Sequence, residues 1–449
     1  MRASTSCSSI DLAGPTPAGP SSRVVVVGGG AAGLMAAGQA ALTGARVVLL
    51  EKMARPGRKL CITGKGRCNL TNVAPLPEFL GHFGATGPFL RQAFHRFFTP
   101  HLLDFFHELG LKTVTERGGR VFPASGKAPE VLAVFERWLA RCGVEVRPGM
   151  AVSRLVLAEG AVTGVVCGAE TIACDALVLA TGGASYPLTG STGDGYRLAE
   201  AAGHRLVAVR PALVPLIAQG SPAAGMAGLQ LRNIRARLFI DGKKREEAFG
   251  ELTFTEDGLS GPVILTISGR VVDALRAGQT VQLLLDLKPA LDEKKLDARL
   301  VRDFEQRRKE PLAAVLRGLL PREMVAVALE ATGLAAEAPA GAIRSEERKR
   351  LRHWLKNFRL PVTGHRPLAE AIVTAGGVDT REVDPRTMAS RLVRGLYFAG
   401  EVLDLQADTG GYNLQAAFAT GWLAGRSAAQ GKRRYELTIS PDNANIGRQ

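Results

Sequence analysis

The chain has 449 residues, room for two or three domains. Hydrophobic residues make up 46%, enough for sizeable cores, and no run of about 18 apolar residues occurs, which argues against a transmembrane helix. Lysine and arginine (57) outnumber aspartate and glutamate (42), and the net charge of +15 favours an anionic ligand or partner.

Residues 1–22 are rich in Ser, Ala, Pro and Gly and lack the apolar core of a secretory signal, so they read as a disordered leader. The six cysteines (Cys7, Cys61, Cys68, Cys142, Cys167, Cys174) form no CxxC pair and match no zinc spacing. Reduced thiols in a cytoplasm are the expectation.

Arg23 to Gly28 read RVVVVG, a β-branched run suited to a central parallel strand. Gly28, Gly30 and Gly33 give GxGxxG, and residues 31–43 predict a small-residue helix ended by Gly44. RVVLL at 46–50 predicts a second strand ending at Glu51. The first glycine allows a tight turn, the second lets backbone approach a pyrophosphate, and the third permits close helix–strand packing. The amides of Ala31 and Ala32 lie at a helix N-terminus, which favours phosphate. Glu51, 21 residues after Gly30, can accept from both ribose hydroxyls and disfavours a 2′-phosphate.

From Lys52 to Pro77 there are six bases and no acid. Lys52, Lys59, Thr63, Gly64, Gly66, Arg67, Cys68 and Asn69 there are candidate cofactor contacts, with a solvated basic loop as the alternative. Around FHRFFTPHLLDFFHELG the apolar spacing predicts a helix, and its histidines share no face suited to a metal, so no metal site is expected. Residues 128–142 predict an amphipathic helix, and 152–157 with 161–167 a hairpin turning at Glu159-Gly160. ALVLATGG at 176–183 is an apolar strand stopped by Thr181, Gly182 and Gly183.

Between 206 and 290 short β-rich runs surround an Asp241-Gly242 turn, which predicts an inserted antiparallel β domain, with 358–365 as a candidate addition to it. Residues 291–357, broken by prolines 311, 321 and 339, predict a helical insert. Within it, Arg344, Arg348, Lys349, Arg350, Arg352, Lys356 and Arg359 face only Glu346 and Glu347, with Trp354 and Phe358 interleaved. That stretch reads as an RNA-gripping patch or as a solvated helix face. Residues 366–430 return to the first domain, and 431–449 read as a C-terminal tail. There GLYFAGE puts Gly400 and Glu401 at a strand end, and DTGGYN puts Gly410, Gly411, Tyr412 and Asn413 at a helix start. Such an acid suits ribityl hydroxyls, and such a helix start suits the flavin N1/C2 carbonyl edge.

The fold class expected is therefore α/β: a discontinuous Rossmann-type FAD-binding domain (23–205 and 366–430) with β (206–290) and helical (291–357) insertions. The cofactor expected is non-covalent FAD. No second GxGxxG with strand context occurs, so NADH or NADPH would bind only transiently as reductant. Arg67, Cys68 and Tyr412 are the catalytic candidates, each against a bland packing or cofactor-shelf role.

RKLCITGKGRCNLTN (58–72), TGGASYPLTGSTGDG (181–195), TFTEDGLSGP (253–262), TAGGVD (374–379) and AGEVLD (399–404) resemble the BaiN/YhiN-type flavoproteins of the glutathione-reductase-like FAD superfamily, over about residues 23–430. The sequence departs from that pattern at Glu256, where a His is expected, and at Gln406-Ala407, where Asp-Gly is expected. The resemblance implies hydride transfer through flavin N5 to a C=C bond of a small organic substrate. Its alternative is reduction of uridine in ribosomal RNA, with contact through the Arg344–Arg359 patch, and its weakest form a non-catalytic flavin binder.

Overall fold

A computed structural model describes residues 22–218 and 223–439 of the chain, so residues 1–21 of the expected leader lie outside the described residues. Contacts divide the chain into two units: residues up to Arg210 with those from Val373 onward, and Pro211–Ile372.

The first unit is built on a five-stranded parallel sheet. Arg23–Val27 lies at its centre, flanked by Ala176–Leu179 on one side and Arg46–Glu51 on the other, with Leu396–Phe398 and Glu145–Pro148 at the edges. Val24, Val25, Val26 and Leu177 to Leu179 are buried, as the β-branched and apolar runs require of a sheet covered on both faces. The chain leaves the central strand toward one side first and reaches the other side later. The switch point of the sheet therefore falls at the carboxyl end of that strand, where open α/β sheets bind ligands.

The helix Ala31–Leu42 packs against the last helix, Tyr412–Ile439. Two glycines set that approach: a Cβ at Gly421 would lie 2.3 Å from the Ala32 carbonyl oxygen, and one at Gly425 2.2 Å from that of Ala36. The last helix continues to Ile439, past the point where a tail was expected. The Phe-rich stretch forms two helices, Gly87–Arg96 and Thr99–Glu108, rather than one. Pro100 sits in the first turn of the second, where a missing N–H costs nothing, and Phe97 and Phe98 leave helical geometry between them. The apolar spacing carries through the break, which is why it reads as continuous. The 152–167 hairpin forms as expected, with Glu159 and Gly160 both at positive φ.

The second unit holds a seven-stranded antiparallel sheet. Its order is Phe358–Val362, Val281–Asp286, Gln230–Ile240, Lys243–Phe254, Gly258–Ser260, Leu216–Ile217, Gly364–His365. Asp241 and Gly242 make the tight turn between its two longest strands, both at positive φ. Inside the stretch expected to be β, Pro262–Arg276 is a helix that buries Val263, Ile264, Ile267 and Val271. Its β-branched residues read locally as strand, and burial against the sheet overrides that preference. Helices follow at Glu293–Gln306, Leu312–Leu316, Arg322–Thr332 and Ser345–Lys356, with Pro311 and Pro321 as N-caps of the middle two. Among the described residues no helix is long and apolar enough to cross a membrane.

Candidate active site

The site lies in the first unit, at the carboxyl end of the central strand. Gly28 takes φ +102°, and a Cβ there would sit 2.5 Å from the Ala180 carbonyl oxygen. A Cβ at Gly33 would sit 1.8 Å from the Gly28 carbonyl oxygen, so this glycine is demanded by packing. Gly30 differs: nothing lies within 4 Å of its Cβ direction, and no side chain caps the helix it starts. The amides of Ala31, Ala32 and Gly33 thus belong to an uncapped first turn, with open space beside Gly30.

Glu51 is buried, with Oε2 accepting from the Gly29 amide at 2.7 Å and Oε1 from the Met53 amide at 2.8 Å. A carboxylate has about four lone-pair directions, so acceptor capacity remains. Lys52 turns to Thr192 Oγ1 and Asp194 Oδ2, both 2.5 Å away, and is committed there.

Lys59 joins three distant segments. Its Nζ donates to Ser185 Oγ at 2.7 Å and to Glu401 Oε2 at 2.8 Å. Glu401 Oε1 accepts from the Thr374 amide at 2.7 Å, and Thr374 Oγ1 accepts from the amides of Ala184 and Ser185. A Cβ at Gly183 would meet Thr374 Oγ1 at 2.4 Å and Glu401 Oε1 at 3.0 Å, and Gly182 takes φ +73°. Gly400, at φ +76°, faces Ala32 closely enough that its Cβ would come within 2.8 Å of the Ala32 Cβ. The segments around Ser185, Thr374 and Glu401 meet here. Ser185 and Thr374 were missed as individual contacts, though both lie inside motifs that carried the resemblance.

The Arg58–Gly66 helix breaks at Thr63, Gly64 and Lys65. Gly64, Lys65, Gly66 and Cys68 all have positive φ, and Gly66 faces open space. Arg67 pairs with Glu116 (Nη2 to Oε1, 2.5 Å) and stacks over Phe122 at 4.2 Å. It is therefore neutralised by a partner 49 residues on. Cys68 has no exposed surface, and burial pushes its thiol up to about 12, so it stays protonated. Cys61 and Cys68 are both free thiols.

Gly410 and Gly411 take φ +141° and +101°, and a Cβ at Gly411 would sit 2.4 Å from the Thr71 carbonyl oxygen. Asn72 Nδ2 donates to the Gly410 carbonyl at 3.1 Å. Asn413 closes its own turn, accepting from the Ala407 amide and donating to the Ala407 carbonyl, both at 2.9 Å. Tyr412 is buried, stacked on the His82 ring (centroids 3.8 Å) and edge-on to Phe79 (4.7 Å). His82 Nδ1 lies 2.8 Å from Asp408 Oδ2. Burial, then the charges of Glu78 and Asp408, raise the Tyr412 phenol above its ordinary value. Nothing local in the sequence pairs His82 with residues 326 and 330 positions away.

Three buried polar atoms of this region have no hydrogen-bond partner: Asn69 Oδ1, Thr181 Oγ1 and Gln406 Oε1. Buried polar atoms are normally satisfied. Together with the open faces of Gly30 and Gly66, these atoms fit a polar dinucleotide cofactor.

A glycine turn at the switch point, a strand-end acid, and a C-terminal segment returning beside them define a Rossmann-type oxidoreductase with an FAD site. The HI0933-like protein Rossmann domain matches residues 22–427, and the chain belongs to that family of FAD-dependent oxidoreductases. It is 34% identical over 411 residues to a 3-dehydro-bile acid delta(4,6)-reductase of Clostridium scindens, covering 91% of this chain and 99% of the relative. A ribosomal RNA dihydrouridine synthase of Escherichia coli is 30% identical over 402 residues, covering 89% of this chain and 96% of the relative. Among solved structures, a quinol-fumarate reductase with menaquinol molecules has a TM-score of 0.50 at 19% identity, over 95% of this chain and 72% of that one.

Proposed function

We propose that the protein reduces a carbon–carbon double bond of a small organic substrate, with a reduced nicotinamide dinucleotide as transient electron source. The observation that supports this most is the likeness, nearly end to end, to a relative named as a delta(4,6)-reductase. Bound flavin supplies a hydride donor at N5. In this reading the amides of Ala31, Ala32 and Gly33 would hold the diphosphate, Gly28 would allow the tight turn, and Gly30 would leave the diphosphate's path clear. Glu51 accepts from the adenosine ribose. Glu401, steadied by Lys59, takes ribityl hydroxyls beside Thr181, Gly182, Gly183 and Gly400. The 410–413 helix start, shaped by Asn413, would offer its amides to the flavin edge that gains negative charge on reduction. Thr63, Gly64, Gly66 and Asn69 line the approach, and Lys52 and Arg67 act only by holding neighbouring loops.

The double bond takes hydride on one carbon and a proton on the next. Tyr412 is our choice of proton donor, since Arg67 is engaged by Glu116 and Cys68 has no exposed surface. The five free thiols of the described chain are in keeping with a cytoplasmic enzyme. The test is anaerobic: NADH or NADPH should bleach the flavin, and conjugated enones such as 3-oxo-4,6-diene steroids should restore its colour with one double bond saturated. An enzyme that no nicotinamide dinucleotide reduces, or that no enone re-oxidises, would sink this reading.

A second reading, the same hydride step on uridine in ribosomal RNA, is supported by the dihydrouridine synthase relatives and by the net charge of +15. Dihydrouridine in ribosomal RNA from cells lacking the gene separates the two: it disappears under the second reading and is unchanged under the first.

A further inference from the structure

We propose that a cavity in the second unit is a subsite for one nucleotide of a single-stranded RNA. Lys349, Arg350 and Arg359 would take its phosphates, and the base would lie against the wall formed by Trp354, Phe358 and Val327. This rests on the uridine reading of the preceding subsection.

The cavity has a volume of about 720 Å³ and is lined by the helices Arg322–Thr332 and Ser345–Lys356 and the start of the strand Phe358–Val362. Ligand pockets of roughly 300–1,000 Å³ suit molecules of nucleotide size. The distribution of charge around it is uneven. Of the seven cations in the Arg344–Arg359 stretch, four are taken by carboxylates. Arg344 pairs with Glu347 at 2.9 Å, Arg348 and Arg352 each reach Asp297 at 3.1 Å, and Lys356 reaches Asp286 at 2.6 Å. The other three are differently placed. Lys349 lies only at the edge of pairing distance from Glu346, 4.0 Å, with both side chains well exposed. Arg350 donates Nε to the Thr332 carbonyl at 3.1 Å, and among the described residues neither it nor Arg359 has a carboxylate within pairing distance. All three line the cavity, together with the paired Arg352.

The uncommitted charge of the basic stretch therefore gathers at one place, beside an apolar wall. Trp354 and Phe358, 4.8 Å apart between ring centroids, both line the cavity. Cations fixed near an aromatic wall suit a ligand that is anionic at one end and flat at the other, which describes an unpaired nucleotide. Glu293 and Glu346 also line the cavity, so the attraction is local to the three cations rather than spread over its whole surface. The geometry also revises which residues probe the patch. Replacing Arg348 removes one of the two partners of Asp297 and tests packing, whereas replacing the three uncommitted cations tests the ligand.

The experiment uses the full-length flavoprotein and a short, unstructured uridine-containing RNA, with affinity measured by fluorescence anisotropy across a salt series. The cavity variant is Lys349→Gln/Arg350→Gln/Arg359→Gln. The control neutralises Arg91, Lys112 and Arg137, which are exposed cations of the first unit. The cavity variant should bind at least 10-fold more weakly. Its log–log salt slope should flatten by about 1.4, since one nucleotide is flanked by two phosphates and each phosphate neutralised on a single strand contributes about 0.7. The control should stay within about 3-fold of wild type, and all three proteins should share one melting midpoint and flavin content. If the cavity triple melts early, Arg359→Gln alone should still weaken RNA more than any single control change. Wild-type affinity in the cavity variant, with salt-dependent binding intact, overturns the cavity and leaves the RNA reading standing. An equal loss in both triples overturns it in favour of diffuse attraction. Binding of uridine monophosphate but not of the oligonucleotide overturns the RNA assignment of the cavity. A wild-type protein that binds no RNA overturns cavity and reading together.

Discussion

Two basic stretches of this chain look alike in sequence and are used differently. Lys52 to Arg67 holds six cations and no acid, and Arg344 to Arg359 holds seven cations and two acids. In the first, Lys52, Lys59 and Arg67 are committed to Asp194, Glu401 and Glu116, partners 49 to 342 residues away. Those ion pairs tie loops of the candidate site together. In the second, four cations are similarly absorbed, and the three that are not line one cavity. Excess charge in a sequence therefore measures neither stretch's free charge. What matters is how many carboxylates the fold delivers, and where.

The largest effect is expected where backbone alone does the work. Gly33→Val forces a Cβ into the space 1.8 Å from the Gly28 carbonyl oxygen. It should abolish flavin retention and cost on the order of 3 kcal/mol or more, read by flavin absorbance and denaturant melts. A protein that keeps its flavin would mean the turn is not the phosphate site.

Next come the ion pairs of the first stretch. Lys59→Met leaves Glu401 with a backbone amide and Ser185 only, in a partly buried site. The flavin dissociation constant should rise by roughly 10-fold, about 1.4 kcal/mol. Arg359→Met, in the second stretch, should leave flavin affinity unchanged, and equal effects would erase the distinction between the stretches.

Tyr412→Phe should lower the re-oxidation rate by about 10²-fold or more with flavin content intact, if Tyr412 is the proton donor. Re-oxidation at the wild-type rate would demote Tyr412 to a packing role. His82→Gln, which removes the ring stacked on Tyr412, should have a smaller effect of the same kind.

A titrating contact outside both stretches gives a control on pH. His204 is buried between Glu382 and Ser390, and desolvation lowers its pKa, with Glu382 pulling the other way. The folded state therefore resists protonation that the unfolded chain accepts. Its contribution to stability is complete above the unfolded value of about 6.5 and is lost as pH falls below it. The melting midpoint should drop by about 2–4 °C more in wild type than in His204→Asn between pH 7 and pH 5. The smallest effects belong to single cations of the helix. Arg348→Gln should cost about 0.5–1 kcal/mol because Asp297 loses a partner, and Arg350→Gln less than about 0.5. The reverse order would mean that Arg350 is structural and the cavity is not poised for an anion.

Sequence alone determined what short-range sterics control. The GxGxxG turn, its strand and helix, the Glu159-Gly160 and Asp241-Gly242 hairpins, and the proline-capped helices all follow from backbone rules acting within a few residues. Quoted motifs also singled out the C-terminal segments that return to the first unit. Only the tertiary structure decided which charges remain free and which side chains meet. Glu116 reaching Arg67, Asp297 holding both Arg348 and Arg352, and His82 joining Asp408 and Tyr412 depend on the path of the chain between them. The same holds for the helix Pro262–Arg276, whose β-branched residues favour strand locally but bury one face against a sheet. Local preferences of a few tenths of a kcal/mol per residue yield to burial worth about 1.5–3 kcal/mol per large side chain, and burial is decided by residues far away in sequence.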